Sequence, residues 1–154
     1  CLEFKIKDMK TITLTVVSLL TFTQIKAQDI SPTQVPSIIL NNFKTQFPNA
    51  VDIEWEMDGS NYNVEFEIGY VIDHEVWYSK DGNMVRHVED VQKRELPAQV
   101  VDTLNKYYKG FRKDEFKRIT HGTDVNYFIE LNSLREEREV ILNERGALLS
   151  DIAD

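Results

Sequence analysis

The feature that most constrains the fold of this chain is a repeat, because two stretches open with the same pattern. Val35–Phe43 and Leu96–Leu104 each have proline as their second residue, followed by apolar residues at helical spacing. Proline fits the first turn of a helix, where its missing N–H would have no partner. The pattern therefore predicts two amphipathic helices that begin at Pro36 and Pro97.

After each predicted helix the periodicity changes from helical to alternating. In the first half, Val51–Met57 and Tyr62–Ile68 alternate apolar with polar residues, which predicts a β-hairpin with the odd-numbered residues of its first strand buried. The second half continues similarly around the turn at His121–Asp124. A third and a fourth strand follow in both halves, around Gly82 and Gly146.

The predicted fold class is α+β, with two tandem α-β-β-β-β repeats that form one antiparallel sheet and pack both helices on one face. One unit of about 60 residues would bury too little apolar surface to be stable alone. We therefore expect a single domain over residues 28–154, made of repeat one (33–91) and repeat two (95–152).

The N-terminal region has the three-part pattern of a secretory signal peptide. Lys10 gives a basic start, Ile12–Phe22 is uncharged and largely apolar, and Ala27 is a small residue before a predicted cleavage at Gln28. The alternative is a buried N-terminal helix or strand, but the segment lacks a helical apolar stripe. We interpret residues 1–27 as upstream residues plus signal peptide, and expect a periplasmic or secreted protein.

These features together resemble the secreted PepSY-like family, whose members are described as β-lactamase-inhibitor-like. The resemblance rests on the Val35-Pro36 helix start, the Phe47-Pro48-Asn49-Ala50 segment and the duplicated helix-plus-meander, and it extends over residues 33–152. The second half departs from it at Lys109-Gly110-Phe111. The resemblance implies an inhibitor-like or propeptide-like fold that presents a sheet surface to a protein partner, with no established catalytic residue. It implies no particular target, because a fold does not fix a function.

Composition and motifs exclude several classes of protein. With 18 basic and 26 acidic residues the net charge is −8, which argues against nucleic-acid binding. No apolar run is long enough for a membrane-spanning helix. One cysteine supports neither a disulfide framework nor a cysteine-rich zinc site. The chain has no G-x-S-x-G turn and no glycine-rich phosphate loop, so we predict neither an enzyme nor a bound cofactor.

The histidines offer only a weak case for a metal site. On a strand, Asp73 and Glu75 face one way and His74 the other, so these neighbours do not form one site. His87 and His121 complete no H-x₃-H or H-E-x-x-H spacing. We interpret the three histidines as ordinary surface or edge residues and predict no metal site.

The candidate binding surface is the sheet face that the helices leave uncovered. Residues 33–91 hold 3 basic and 11 acidic side chains, against 9 and 12 in residues 95–154. An acidic surface would steer a basic partner, and the alternative is an ordinary solvated face that discourages aggregation. Five acidic side chains of the first hairpin are predicted on this face: Asp52, Glu54, Glu56, Glu65 and Glu67.

Three large apolar side chains, Trp77, Phe128 and Ile141, are predicted on the same face. Exposed apolar groups with a polar rim mark interaction sites. The alternatives are that a bulge reverses the strand faces and buries these residues, or that a loop or a dimer partner covers them. The sequence thus favours an exported, non-catalytic module that binds a protein partner in the cell envelope, such as an enzyme that it inhibits. The alternative function is an envelope sensor for a small molecule or an ion.

Overall fold

The computed structural model of the protein describes residues 28–69 and 72–153, so the predicted signal peptide lies outside the described residues. The helices are α1 (Ser37–Gln46) and α2 (Ala98–Tyr107), directly after Pro36 and Pro97 as predicted. Neither of these helices is long and apolar enough to cross a membrane. The strands are β1 (Gln28–Asp29), β2 (Ala50–Asp58), β3 (Asn61–Ile68), β4 (Ile72–Tyr78), β5 (Met84–Asp90), β6 (Arg112–His121), β7 (Asp124–Asn132), β8 (Glu137–Asn143) and β9 (Leu148–Ala153).

All nine strands form one antiparallel sheet whose spatial order is the order of the sequence. The two halves meet where β5 pairs with β6, from His87 opposite Thr120 to Asp90 opposite Lys117. The predicted single antiparallel sheet is therefore confirmed, and β1, which the sequence did not predict, adds a short edge strand.

The core lies between the helices and one face of the sheet, in two clusters. Helix α1 packs Ile39 and Phe43 onto strands β2 to β4, and α2 packs Val100 and Leu104 onto strands β7 and β8. Residues directly opposite each other on paired strands share a face. One row of such residues crosses the sheet: Phe66, His74, Glu89, Arg118 and Tyr127. Its two ends, Phe66 and Tyr127, belong to the two core clusters, so both helices cover the same face. We call the other face the open face.

Each helix is held to the sheet by one side-chain hydrogen bond, and the two bonds lie at equivalent places in the two halves. The Asn42 side-chain amide donates to the carbonyl of Gly82 at 2.8 Å, and the Thr103 hydroxyl donates to the carbonyl of Gly146 at 2.8 Å. Both glycines have positive φ, in the turns before β5 and β9. A short 3₁₀ helix also precedes each α-helix. The two halves therefore have the same order of elements and the same contact between helix and turn.

The first strand of the predicted hairpin differs from expectation near its start. The pairing of β2 with β3 shifts between Val51 and Glu54, where Asp52 has a φ of 50°. This β-bulge places Val51 opposite Glu67, on the open face, and leaves Val51 47% and Ile53 42% exposed. The prediction that these two residues are buried is therefore wrong, because alternation does not continue through a bulge.

Candidate functional site

The open face of the first half carries a dense group of carboxylates around a depression of about 410 Å³. Cross-strand pairing builds the group, because Glu54, Glu65 and Glu75 lie in one row across β2, β3 and β4. Glu67 and Asp73 form the adjacent row. We call the seven acidic residues that line the depression the acidic cluster: Asp52, Glu54, Glu65, Glu67, Asp73, Glu75 and Asp90.

Burial and repulsion from neighbouring carboxylates raise the pKa of two members of this cluster, Glu75 and Asp90. Burial raises the pKa of Glu75, and nearby Glu65 raises it further, although the Asn63 amide donates to Glu75 Oε1 at 3.0 Å and opposes the shift. Burial also raises the pKa of Asp90, with Lys117 acting in the opposite direction. A positively charged group placed here would relieve the repulsion and favour the ionised carboxylates.

The five predicted acidic residues do not all belong to the cluster. Asp52, Glu54, Glu65 and Glu67 line the depression, with Asp52 placed there by the bulge. Glu56 lies one row away, opposite Asn63, where burial raises its pKa together with a hydrogen bond to Asp29 and repulsion from Glu65.

Trp77 lies on the predicted face, but it is only 8% exposed. Its ring is covered by Arg86, which is opposite on β5 and places its guanidinium carbon 4.5 Å from the ring centroid. The Trp77 Nε1–H also donates to Asp58 Oδ2 at 2.8 Å. The prediction of an exposed ring is wrong, because the neighbouring strand supplies a side chain long enough to cover it.

Phe128 and Ile141 are directly opposite each other on β7 and β8 and are half-buried on the open face. Their row continues to Lys117, which borders the acidic cluster. In the next row, Val88 pairs with Ile119 across the junction between the halves. We call these four residues the apolar strip: Val88, Ile119, Phe128 and Ile141.

Sequence reasoning missed several parts of this surface. Asp73 and Glu75 had the correct alternation but were considered only as metal ligands. The positions of Asp90 and Lys117 depend on β5 pairing with β6, and no local pattern encodes that register. The cover that Arg86 gives Trp77 is likewise a cross-strand effect.

On the helix side, the sheet brings two histidines together. His74 is buried, and its Nδ1 lies 3.0 Å from Nε2 of His87 on β5. Burial lowers the pKa of both imidazoles, while nearby Glu89 opposes the shift. The expectation of surface histidines is therefore wrong for His74 and His87, whereas His121 is exposed at the end of β6.

Glu89 and Arg118 complete this group. Arg118 donates to Glu89 Oε1 through Nε at 2.8 Å and Nη2 at 2.6 Å. The other carboxylate oxygen, Oε2, lies 3.9 Å from His74 Nδ1. The group stands at the junction of the halves, since Arg118 comes from β6 and the other three from β4 and β5.

Comparison with solved structures places the fold among those of several Bacteroides proteins. The chain is 18% identical to a DUF2874 family protein from Bacteroides uniformis, with a TM-score of 0.67 over 77% of this chain and 88% of that one. A "putative periplasmic" protein from Bacteroides eggerthii is 18% identical, with a TM-score of 0.68 and the same coverage. A BLIP-like protein from Bacteroides fragilis is 19% identical, with a TM-score of 0.64 over 77% and 85%.

No curated protein matches the sequence. The family profile described as "Putative beta-lactamase-inhibitor-like, PepSY-like" matches it twice, over residues 21–86 and 60–150. Neither that description nor those of the three structures names an enzymatic activity. Together the two matches span most of the described sheet and both helices, and the chain belongs to this PepSY-like, β-lactamase-inhibitor-like family.

Proposed function

We propose that the protein is a non-catalytic binding module that recognises a protein partner through the open face of its sheet. The observation that carries this proposal is the placement of both helices on the opposite face, which leaves the acidic cluster and the apolar strip uncovered by any described helix. The inhibitor-like description of the family supports a binding role. Within the described residues we assign no catalytic group.

The chemistry of the open face indicates what kind of partner fits it. The acidic cluster includes seven carboxylates beside one lysine, so it attracts a basic surface and accelerates association at low salt. Three residues of the apolar strip, Ile119, Phe128 and Ile141, are half-buried, and side chains of this kind supply much of the affinity at the centre of an interface. The expected partner therefore presents lysine or arginine next to an apolar patch.

The most direct test is capture of a partner from envelope extract with wild-type protein and two matched variants. Phe128→Ser removes an aromatic group from the open face, and Tyr107→Ser removes an exposed one from α2. We expect a stoichiometric partner with wild type and with Tyr107→Ser. Phe128→Ser should lose at least ~90% of it, as for an interface residue that contributes about 1.4 kcal/mol or more.

Two results would argue against this function. Equal capture by both variants would place the interface elsewhere on the molecule. If no protein is recovered but calcium or a small molecule raises the melting temperature, the protein is an envelope sensor instead. Circular dichroism of each variant checks that its fold is intact.

We also propose that the protein is exported and cleaved between Ala27 and Gln28. The support is the signal-peptide pattern of the sequence, together with the periplasmic description of one structural neighbour. N-terminal sequencing after expression in a Gram-negative host should find Gln28 first, outside the cytoplasm. An intact N-terminus in the cytoplasm would contradict this.

We propose, finally, that the two halves are copies of one duplicated unit. The support is the shared order of elements and the pair of equivalent bonds from Asn42 to Gly82 and from Thr103 to Gly146. Each half also has a bulge in the equivalent place, between Trp77 and Tyr78 and between Ile141 and Leu142.

A further inference from the structure

We propose that His74, His87 and Glu89 bind one divalent transition-metal ion of the zinc type on the helix side of the sheet. Each residue offers one ligand atom, and the three atoms lie within 4.8 Å of one another. The two imidazole nitrogens are 3.0 Å apart, and His74 Nδ1 is 3.9 Å from Glu89 Oε2. In a tetrahedral zinc site with bonds of about 2.0–2.1 Å, neighbouring ligand atoms are about 3.3 Å apart. Binding therefore requires the widest of these separations, up to 4.8 Å, to close by about 1.5 Å through side-chain rotation.

Histidine binds a metal as the neutral imidazole, which has one nitrogen lone pair. One of the two facing nitrogens carries the proton of their hydrogen bond. Metal binding needs that proton to move to the other nitrogen of the same ring, which is a change of tautomer without loss of a proton.

The surroundings hold the ligands in place. Arg118 binds Glu89 only through Oε1, so Oε2 remains directed toward His74. The ring of Phe66 stacks on His74 with centroids 5.1 Å apart, and Phe47 contacts the His87 ring at 5.5 Å. Outer hydrogen bonds such as those from Arg118 to Glu89 orient metal ligands and raise metal affinity.

The donor set indicates the class of metal. Two imidazoles and one carboxylate suit zinc, nickel, cobalt or copper, whereas calcium and magnesium prefer oxygen ligands alone. The acidic cluster on the open face consists of carboxylates, so the two faces should differ in their preference for metals. Water or a group from a partner would complete the coordination.

The test is calorimetric titration with Zn²⁺, with Co²⁺ absorption as a second readout of the coordination geometry. All proteins carry Cys1→Ser, so that the single thiol of the chain does not compete. Wild type should bind one ion, and His87→Gln should weaken binding by at least ~100-fold, beyond the 10- to 100-fold effect of losing an outer contact. The matched control His121→Gln, at the exposed end of β6, should bind as wild type does.

Three results would overturn the proposal: no binding by wild type, equal weakening by His121→Gln, or weakening by Glu65→Gln but not by His87→Gln. The last result would assign the ion to the acidic cluster. If His87→Gln does not fold by circular dichroism, Glu89→Gln replaces it, since that side chain is 17% exposed. Glu89→Gln should then weaken binding similarly, and unchanged affinity in that variant would also overturn the proposal.

Discussion

At the scale of single residues, Trp77 shows how a cross-strand neighbour decides exposure. Alternation along β4 correctly places its ring on the open face, opposite to Val76 and Tyr78. Arg86 then covers the ring, and Asp58 accepts a hydrogen bond from its N–H. Trp77 therefore stabilises the sheet and is not exposed to solvent. A protein bound to the open face would reach the Trp77 ring only after Arg86 moves.

We therefore predict that Arg86→Ala uncovers Trp77. In a Trp55→Phe background the only other tryptophan of the chain is removed, so fluorescence reports on Trp77 alone. The emission should shift to longer wavelength and acrylamide quenching should increase, with a stability loss of ~0.5–1 kcal/mol from the lost cation–π contact. Unchanged quenching would show that Arg86 does not cover the ring in solution.

The raised pKa of Glu75 gives a prediction of pH dependence. The folded protein holds this proton more tightly than the unfolded chain, whose ordinary value is 4.5. The stability that protonation contributes is therefore present below about pH 4.5 and is lost as the pH rises through the folded pKa. Glu75→Gln keeps an acceptor for Asn63 and should stabilise the protein at neutral pH by up to ~1 kcal/mol.

Thermal unfolding at neutral pH and at about pH 4 measures this effect. The gain from Glu75→Gln should shrink at the lower pH, where the wild-type carboxyl becomes neutral. Glu144→Gln, at an exposed position in the turn before β9, is the matched control and should change little at either pH. A gain that does not depend on pH would mean that charge at Glu75 is not its cause.

At the scale of elements, the turns before β5 and β9 hold the helices against the sheet. Gly146 has a φ of 76°, and a Cβ there would clash with the carbonyl oxygen of Gln99 in α2. Gly59, in the β2–β3 turn, has a φ of 61° with open space around it. A substitution at Gly59 therefore tests backbone strain alone, whereas one at Gly146 tests backbone strain together with close packing against α2.

Gly59→Ala should cost ~1–2 kcal/mol, the strain of a left-handed alanine. Gly146→Ala should cost at least ~1 kcal/mol more, because α2 must also move away from the turn. Urea unfolding of both variants gives the comparison. Equal costs would show that α2 does not press against this turn.

Elements with strong local patterns were predictable, and those that depend on register were not. The helix starts at Pro36 and Pro97 and the alternating strands follow from local periodicity. The bulge at Asp52 has no local pattern, because its left-handed φ at a non-glycine residue is set by the pairing of β2 with β3. The contact between His74 and His87 depends on the register of β4 and β5, which no local sequence pattern indicates.

At the scale of the whole molecule, the pairing of β5 with β6 joins the two halves. Four residue pairs and the ion pair between Glu89 and Arg118 cross this junction. Each core cluster is small, since each consists of one helix on a few strands. The halves should therefore support each other.

Calorimetry of the protein should show a single unfolding transition, and residues 28–92 alone should fold poorly. The variant Arg118→Met, which removes the ion pair at the junction, should lower the melting temperature without splitting the transition. Two transitions in the wild-type protein would show that the halves are independent domains.

The two faces of the sheet carry different residues, and we propose that a protein partner binds the open one. The helix face is filled by two apolar cores, whereas the open face presents the acidic cluster and, next to it, the apolar strip. A bound partner should therefore protect side chains on one face only.

Hydroxyl-radical footprinting of the protein, free and with its captured partner, tests this claim most directly because it reports on individual side chains. We expect oxidation of Phe128 and Ile141 to be at least ~3-fold lower in the complex than in the free protein, as for side chains buried at the centre of an interface. Tyr107 on α2 should be oxidised equally in both states. Protection of Tyr107, with Phe128 and Ile141 unchanged, would contradict the account.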